Sequence, residues 1–159
     1  MNGGDRMPRL NEGGNFVYGV SVMKETFEVK IPPQAYEDYH CCKDATFILM
    51  SGSDESGGFC VTSKRLLSYS ELQNILFDNP SLNDEQVHEE WIQYKGRKYT
   101  CRKNNAGKVV LTAKDLEELE IESGKELMCI RGTDIVFSFA AKGLLIEKMK
   151  QYDGELELF

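Results

Sequence analysis

The sequence predicts a mainly β chain with short helices, closed into one barrel-like core by two interleaved copies of the same unit. The first observation is a repeat, which marks such architectures before any other feature. Phe27-Glu28-Val29-Lys30-Ile31-Pro32-Pro33-Gln34-Ala35-Tyr36 lies over Gly107-Lys108-Val109-Val110-Leu111-Thr112-Ala113-Lys114-Asp115-Leu116 at a shift of 80 positions. At that shift Tyr39 meets Leu119, Asp44 meets Gly124, Phe47 meets Leu127 and Leu49 meets Cys129. Ser51-Gly52-Ser53-Asp54 then meets Arg131-Gly132-Thr133-Asp134. Beyond the next loop a shift of 78 brings Phe59, Val61, Lys64, Leu66 and Leu67 onto Phe137, Phe139, Lys142, Leu144 and Leu145. The gap falls in a Ser/Gly-rich loop, where insertions are tolerated. The second observation is period-two alternation over short runs, the mark of strands. The third is that half of such a unit cannot cover both faces of its strands, so the copies must interlock.

Each element follows from local pattern. Phe27, Val29 and Ile31 alternate with Glu28 and Lys30 as in a half-buried strand. Pro32-Pro33 ends it and starts a short helix, Gln34 to Tyr39. In the second copy Thr112 is placed to N-cap, with Asp115 three residues on, and Leu116, Leu119 and Ile121 point inward. Gly124 turns the chain, Leu127 to Ile130 is a continuous apolar run suited to a buried strand, and Val136 to Phe139 returns as another. Helices are expected over Ser70 to Leu76 and Leu144 to Gln151. Between the copies Asp78-Asn79-Pro80-Ser81 breaks the chain before an acidic helix, Leu82 to Ile92. On it Trp91 anchors to the core, and Tyr99 and Cys101 lie on the strand that follows.

The domain organisation is then a flexible tail over residues 1–15 and a single domain over 16–159. That domain holds repeat one (about 24–77), an acidic helical linker (78–93), repeat two (about 94–151) and an acidic C-terminal tail. The tail, Asp153-Gly154-Glu155-Leu156-Glu157-Leu158-Phe159, alternates charged and apolar residues and can add as a strand to an exposed sheet edge. No apolar run approaches the roughly 20 residues of a membrane helix. The N-terminus lacks a signal-peptide core, and five cysteines without a C-x-x-C pair suit free thiols in a reducing, cytoplasmic setting.

Catalytic chemistry finds little footing. His40 and His88 are the only histidines and neither has metal-ligand spacing, so no metal is expected. His40-Cys41-Cys42 has no third group to orient a nucleophile. Glu117, Glu118, Glu120 and Glu122 form a soluble face rather than a carboxylate pair held across a cleft. Neither Gly52 nor Gly132 lies in a phosphate-binding loop pattern. The expectation is no cofactor and no enzyme. The net charge of −7 disfavours a generic nucleic-acid binder, yet it is unevenly spread. Six basic residues and no acid lie between Lys95 and Lys108, namely Lys95, Arg97, Lys98, Arg102, Lys103 and Lys108. From Leu66 to Tyr94 there are acids and no base.

Asn104-Asn105-Ala106-Gly107-Lys108-Val109-Val110-Leu111-Thr112-Ala113-Lys114-Asp115-Leu116, followed by Leu119, Ile121, Gly124 and Lys125-Glu126-Leu127, resembles the signature of AbrB/SpoVT-like and MraZ-like proteins. That signature is a polar turn, Gly-Arg, an apolar strand, Ile-Pro and a short helix. Two copies in one chain are most similar to MraZ-like proteins. The resemblance implies a barrel of interleaved, swapped hairpins, sequence-specific DNA binding for transcriptional control, and assembly into a homo-oligomer. It implies a DNA-contacting hairpin carrying Lys95, Arg97, Lys98, Arg102, Lys103, Asn104, Asn105 and Lys108. Within it Lys108, Arg102 and Lys103 would contact phosphates, with Asn104 and Asn105 nearest the bases, above Tyr94 and Tyr99. Lys108 stands where the family has arginine, Thr112 where it has proline, and the first copy has Phe27-Glu28 in place of Gly-Arg. Lysine keeps the charge but loses the planar fork that reads guanine. The alternative is a protein-interaction or assembly module that keeps the barrel and meets a partner at the acidic linker or tail.

Overall fold

The computed structural model describes residues 16–83, 88–122, 124–143, 146–147 and 158–159, with 88 and 89 described by backbone alone. The predicted tail over 1–15, residues 84–87 of the linker, most of the Leu144 to Gln151 helix and residues 153–157 lie outside the described residues. In chain order the strands are β1 (Val17–Val22), β2 (Glu28–Lys30), β3 (Thr46–Ser51), β4 (Phe59–Thr62), β5 (His88–Tyr94), β6 (Arg97–Asn105), β7 (Lys108–Val110), β8 (Glu126–Arg131) and β9 (Phe137–Ala140). The α-helices are α1 (Pro33–Asp38), α2 (Lys64–Ser68), α3 (Asn74–Asp78) and α4 (Ala113–Leu119).

Among the described residues eight strands run in the order β1-β8-β9-β4-β3-β6-β7-β2, and β5 adds to β6 outside that path. The ends of the path meet. Lys24 N–H donates to Glu28 O (3.1 Å) and Ser21 Oγ to Lys30 O (2.6 Å), which nearly closes the sheet into a barrel. The pairings carry an internal two-fold symmetry. Shifting β3 by 80 and β4 by 78 turns the pairs Ile48–Thr62 and Ser51–Phe59 into Met128–Ala140 and Arg131–Phe137, the register of β8 on β9. The pseudo-dyad passes through Val29–Val109, where β2 pairs with β7, and through Cys60–Ser138, where β4 pairs with β9. Each copy therefore donates strands to the other's edge, and neither is complete alone.

Burial explains the strand sequences. Phe47, Leu49, Phe59, Val61, Leu127, Cys129, Phe137 and Phe139 fill the barrel, joined by Val29 and Val109. Ile48 and Met50 face outward instead, under Leu67, Ile75, Leu76 and Leu82 of the helical segment. Met128 and Ile130 do the same beside Val17 and Ile146. Strands covered on both faces lose alternation and become continuous apolar runs. α4 starts with a full capping box: Asp115 N–H donates to Thr112 Oγ1 (3.1 Å), and Thr112 N–H to the Asp115 carboxylate (3.0 Å).

Three expectations change. The acidic linker is not a helix throughout. A 3-10 turn at Pro80–Asn83 precedes the strand β5, which pairs with β6 through Ile92–Tyr99 and Tyr94–Arg97. The reason is the turn Lys95-Gly96, both at positive φ (48° and 82°), the conformation that joins two-residue hairpins. The helix expected from Ser70 to Leu76 is a 3-10 turn, Glu71–Gln73, running into α3. β1 lies ahead of the predicted start of repeat one, and it occupies in the first copy the place that β6 occupies in the second.

Candidate nucleic-acid interface

The eight predicted residues lie along β6, in the turn before it and at the start of β7, without forming one surface. Alternate residues of a strand share a face. Arg97, Tyr99, Cys101, Lys103 and Asn105 of β6 thus point one way, and Lys98, Thr100, Arg102 and Asn104 the other. On the first face Tyr99 and Cys101 are buried, Tyr99 within the outer apolar cluster. Arg97 and Lys103 emerge at opposite ends, roughly 20 Å apart at about 3.3 Å per residue. Lys95 is in the β5–β6 turn with its ammonium 5.3 Å from the Tyr94 ring, which itself lies edge-on to Tyr99 (6.1 Å). Tyr94 also donates to Asp78.

The second face is structural. Arg102, expected at phosphate, is 3% exposed. Its Nε and Nη2 donate to Asp115 Oδ2 (2.8 Å) and Oδ1 (2.5 Å), and its Nη1 to Thr100 Oγ1 (2.9 Å) and Cys101 O (2.8 Å). Trp91 Nε1 completes the carboxylate shell at 2.9 Å from Asp115 Oδ1, and the Trp91 ring lies 6.0 Å from the guanidinium. Burial pushes the Asp115 carboxyl up, but the hydrogen bonds from Arg102 and Trp91 outweigh it and hold the group below its ordinary value. Trp91 is thus the core anchor expected of it, on a strand instead of a helix. Lys98 is drawn to Glu118 at 2.6 Å.

Asn104 is also spoken for. Its amide donates to Asp44 O (2.8 Å), Cys41 O (3.2 Å) and Tyr36 Oη (3.2 Å), and its Oδ1 accepts from Gly107 N–H (2.9 Å). It staples the β6–β7 turn, where Ala106 and Gly107 both take positive φ (52° and 87°). Base reading is therefore not open to Asn104.

What remains is a compact group at the far end of the hairpin. Lys103 and Asn105 are exposed on one face, Asn105 pairs directly with Lys108, and Lys108 pairs directly with Lys30 of β2. Lys30 was outside the predicted set. Its signal was the β2–β7 pairing, which the repeat aligns but does not announce. Glu28 shares this face and accepts from Asn105 Nδ2 at 3.4 Å.

Elsewhere the chemistry is quiet. Burial pushes the Cys41 thiol up to about 12 and raises Cys129 well above its ordinary value, so both stay protonated at neutral pH. All five cysteines are free. Tyr39, pushed up to about 12 by burial, donates to Thr133 O (2.6 Å) and Val136 O (3.0 Å) and ties α1 to the β8–β9 loop. Among the described residues no helix is long and apolar enough to cross a membrane, and no group of three or more His, Cys, Asp or Glu side chains could hold a metal ion. No protein-family model, no curated protein and no solved structure matches the chain.

Proposed function

We propose that the chain is a DNA-binding transcriptional regulator of the AbrB/SpoVT-like and MraZ-like type, with the outer face of β6, β7 and β2 against the duplex backbone. The observation that carries this reading is the direct pairing of Lys30 with Lys108, beside Lys103 and Asn105 on the same face. Like charges directly opposite in a sheet are destabilising, and phosphate oxygens are the ligand that offsets such a pair. Lys30, Lys103 and Lys108 act as phosphate contacts and Asn105 as the side chain nearest the bases. On the same reading the protein is cytoplasmic and works as a homo-oligomer. The test is binding to random-sequence duplexes across a salt series, with selection from the bound pool. Three phosphate contacts predict a log–log salt slope of about −3 per chain. The double variant Lys103→Glu/Lys108→Glu should lose binding while keeping its circular dichroism spectrum; retained affinity overturns the site.

A second reading, an assembly module that has lost DNA binding, is favoured by a different patch. Tyr69, Leu72 and Phe77, on and between α2 and α3, are 89%, 44% and 71% exposed. Phe77→Ser with Tyr69→Ser should then lower the sedimentation mass or abolish partner capture. The regulator reading expects DNA affinity per chain to survive that change.

A further inference from the structure

We infer that the cleft between the end of α4, the β3–β4 loop and the β5–β6 hairpin binds a small arylalkylammonium ion. The ligand takes the place of side chains that close the equivalent junction in the other half of the barrel. There Tyr39, at the end of α1, donates its hydroxyl to Thr133 O (2.6 Å) and Val136 O (3.0 Å) of the β8–β9 loop. The Arg131 guanidinium lies 5.7 Å from the Tyr39 ring and pairs with Asp134 at 2.6 Å. A phenol and a cation thus shut that junction together.

The loops that receive them are built alike. Gly132 N–H donates to Val136 O at 3.1 Å and Gly52 N–H to Gly58 O at 3.1 Å, the same bond at the repeat's two shifts. In the second junction, however, Leu119 stands for Tyr39, Ser51 for Arg131 and Gly58 for Val136. With three shorter side chains, the place is an open cleft of about 600 Å³. It is lined by Ser53 and Gly58, the counterparts of the two residues whose carbonyls take the Tyr39 hydroxyl. Ser53 O accepts from Gly57 N–H (2.8 Å) and Gly58 O from Gly52 N–H, and a carbonyl has two lone pairs. Gln93 and Lys98 of the β5–β6 hairpin form a third wall.

The cation is lost in this junction but the acids are kept. Asp54 stands for Asp134, Glu117 for Glu37 and Glu118 for Asp38, and all three line the cleft. Among the described residues of the lining Lys98 is the one base, and Glu118 holds it at 2.6 Å. An ammonium supplies the charge that Ser51 does not, and a ring with a donor supplies what Leu119 does not. Carboxylates at a partly enclosed cleft attract such a cation more strongly than they do in bulk water.

The probe is tyramine, a phenol and an ammonium in one molecule, titrated onto the full chain by calorimetry. Its neutral and anionic analogues, p-cresol and 4-hydroxyphenylacetate, should bind at least about tenfold more weakly. Leu119→Tyr and Ser51→Arg each write a residue of the first half into the second, and each should abolish tyramine binding in a folded chain. Asp54→Asn/Glu117→Gln alters only exposed side chains, so the fold is kept whatever happens at Leu119. That double variant should weaken tyramine about three- to tenfold. No binding of tyramine to the parent overturns the inference, as does equal binding of the three analogues or undiminished binding in the folded variants. None of these outcomes involves DNA, so the regulator reading stands or falls separately.

Discussion

The two halves of the barrel share a pairing scheme and fill it with opposite chemistry. β1 and β6 occupy equivalent places, so Val20 corresponds to Cys101 and Ser21 to Arg102, while Ala35 of α1 corresponds to Asp115 of α4. All six of these residues are buried. The first half solves the corner with a hydroxyl that donates to Lys30 O and a methyl group. The second places a bidentate ion pair there, crossed by Trp91 from β5. What separates them is the neighbour on the edge. Where β5 brings an indole N–H, a carboxylate has a donor to meet, and a guanidinium then neutralises it. Backbone register tolerates either interior; the side chains answer to whatever borders the strand.

The comparison is broken most sharply at that corner. Asp115→Ala takes the bidentate carboxylate from a buried guanidinium and removes one half of the capping box, so urea denaturation should show a loss of about 3–5 kcal/mol. The double change Arg102→Ser/Asp115→Ala, which writes the first half's residues into the second, should be less damaging than Asp115→Ala alone. Ser21→Ala in the first half should cost only about 1 kcal/mol.

A second contrast lies in the equivalent turns at Gly52 and Gly132. A Cβ at Gly52 would meet Gly57 O at 1.9 Å, and one at Gly132 would meet Val136 O at 2.7 Å. Alanine should destabilise both, by about 1–3 kcal/mol at Gly52 and by less at Gly132, read from thermal midpoints. The pH dependence sharpens the same asymmetry. Asp115 is held below its ordinary value, so its contribution is present above the carboxylate range and lost as pH falls through it. Acid unfolding should therefore be less steep in the Arg102→Ser/Asp115→Ala chain than in the parent. Smallest is Lys98→Ala: its pair with Glu118 is partly exposed, and the loss should stay under about 1 kcal/mol.

Much of the fold was legible from residues. The repeat, its two shifts, the capping box at Thr112 and the doubly buried Leu127 to Ile130 strand all declare themselves through apolar spacing and cap chemistry. β1 did not, because Gly19 interrupts it at a register shift between Val17 and Gly19 and mimics a loop. β5 was masked by Glu89 and Glu90, which suit a helix as well as a strand edge; Lys95-Gly96 was the better signal. The site was legible by half. A run of positive charge locates the hairpin, but strand parity decides which charges reach water. Arg102 falls on the covered face and Lys103 on the open one. The partner that takes Arg102 inward, Asp115, is a contact between β6 and a helix beyond β7, which no local pattern encodes.

The pairing of Val17 with Ile130 and of Val29 with Val109 also has a consequence in time. Hairpins β3–β4, β5–β6, β6–β7 and β8–β9 close over short stretches and need little loop entropy, whereas β1 and β2 wait for partners made far later in the chain. During synthesis from the N-terminus, β1 emerges well before its partner β8 and is among the last of the described strands to be secured. Until β8 arrives, Val17–Val22 is an unpaired apolar edge, the kind that invites pairing between chains. Refolding should show a fast phase from the local hairpins and a slower one, carrying most of the Tyr18 burial, when β1 docks.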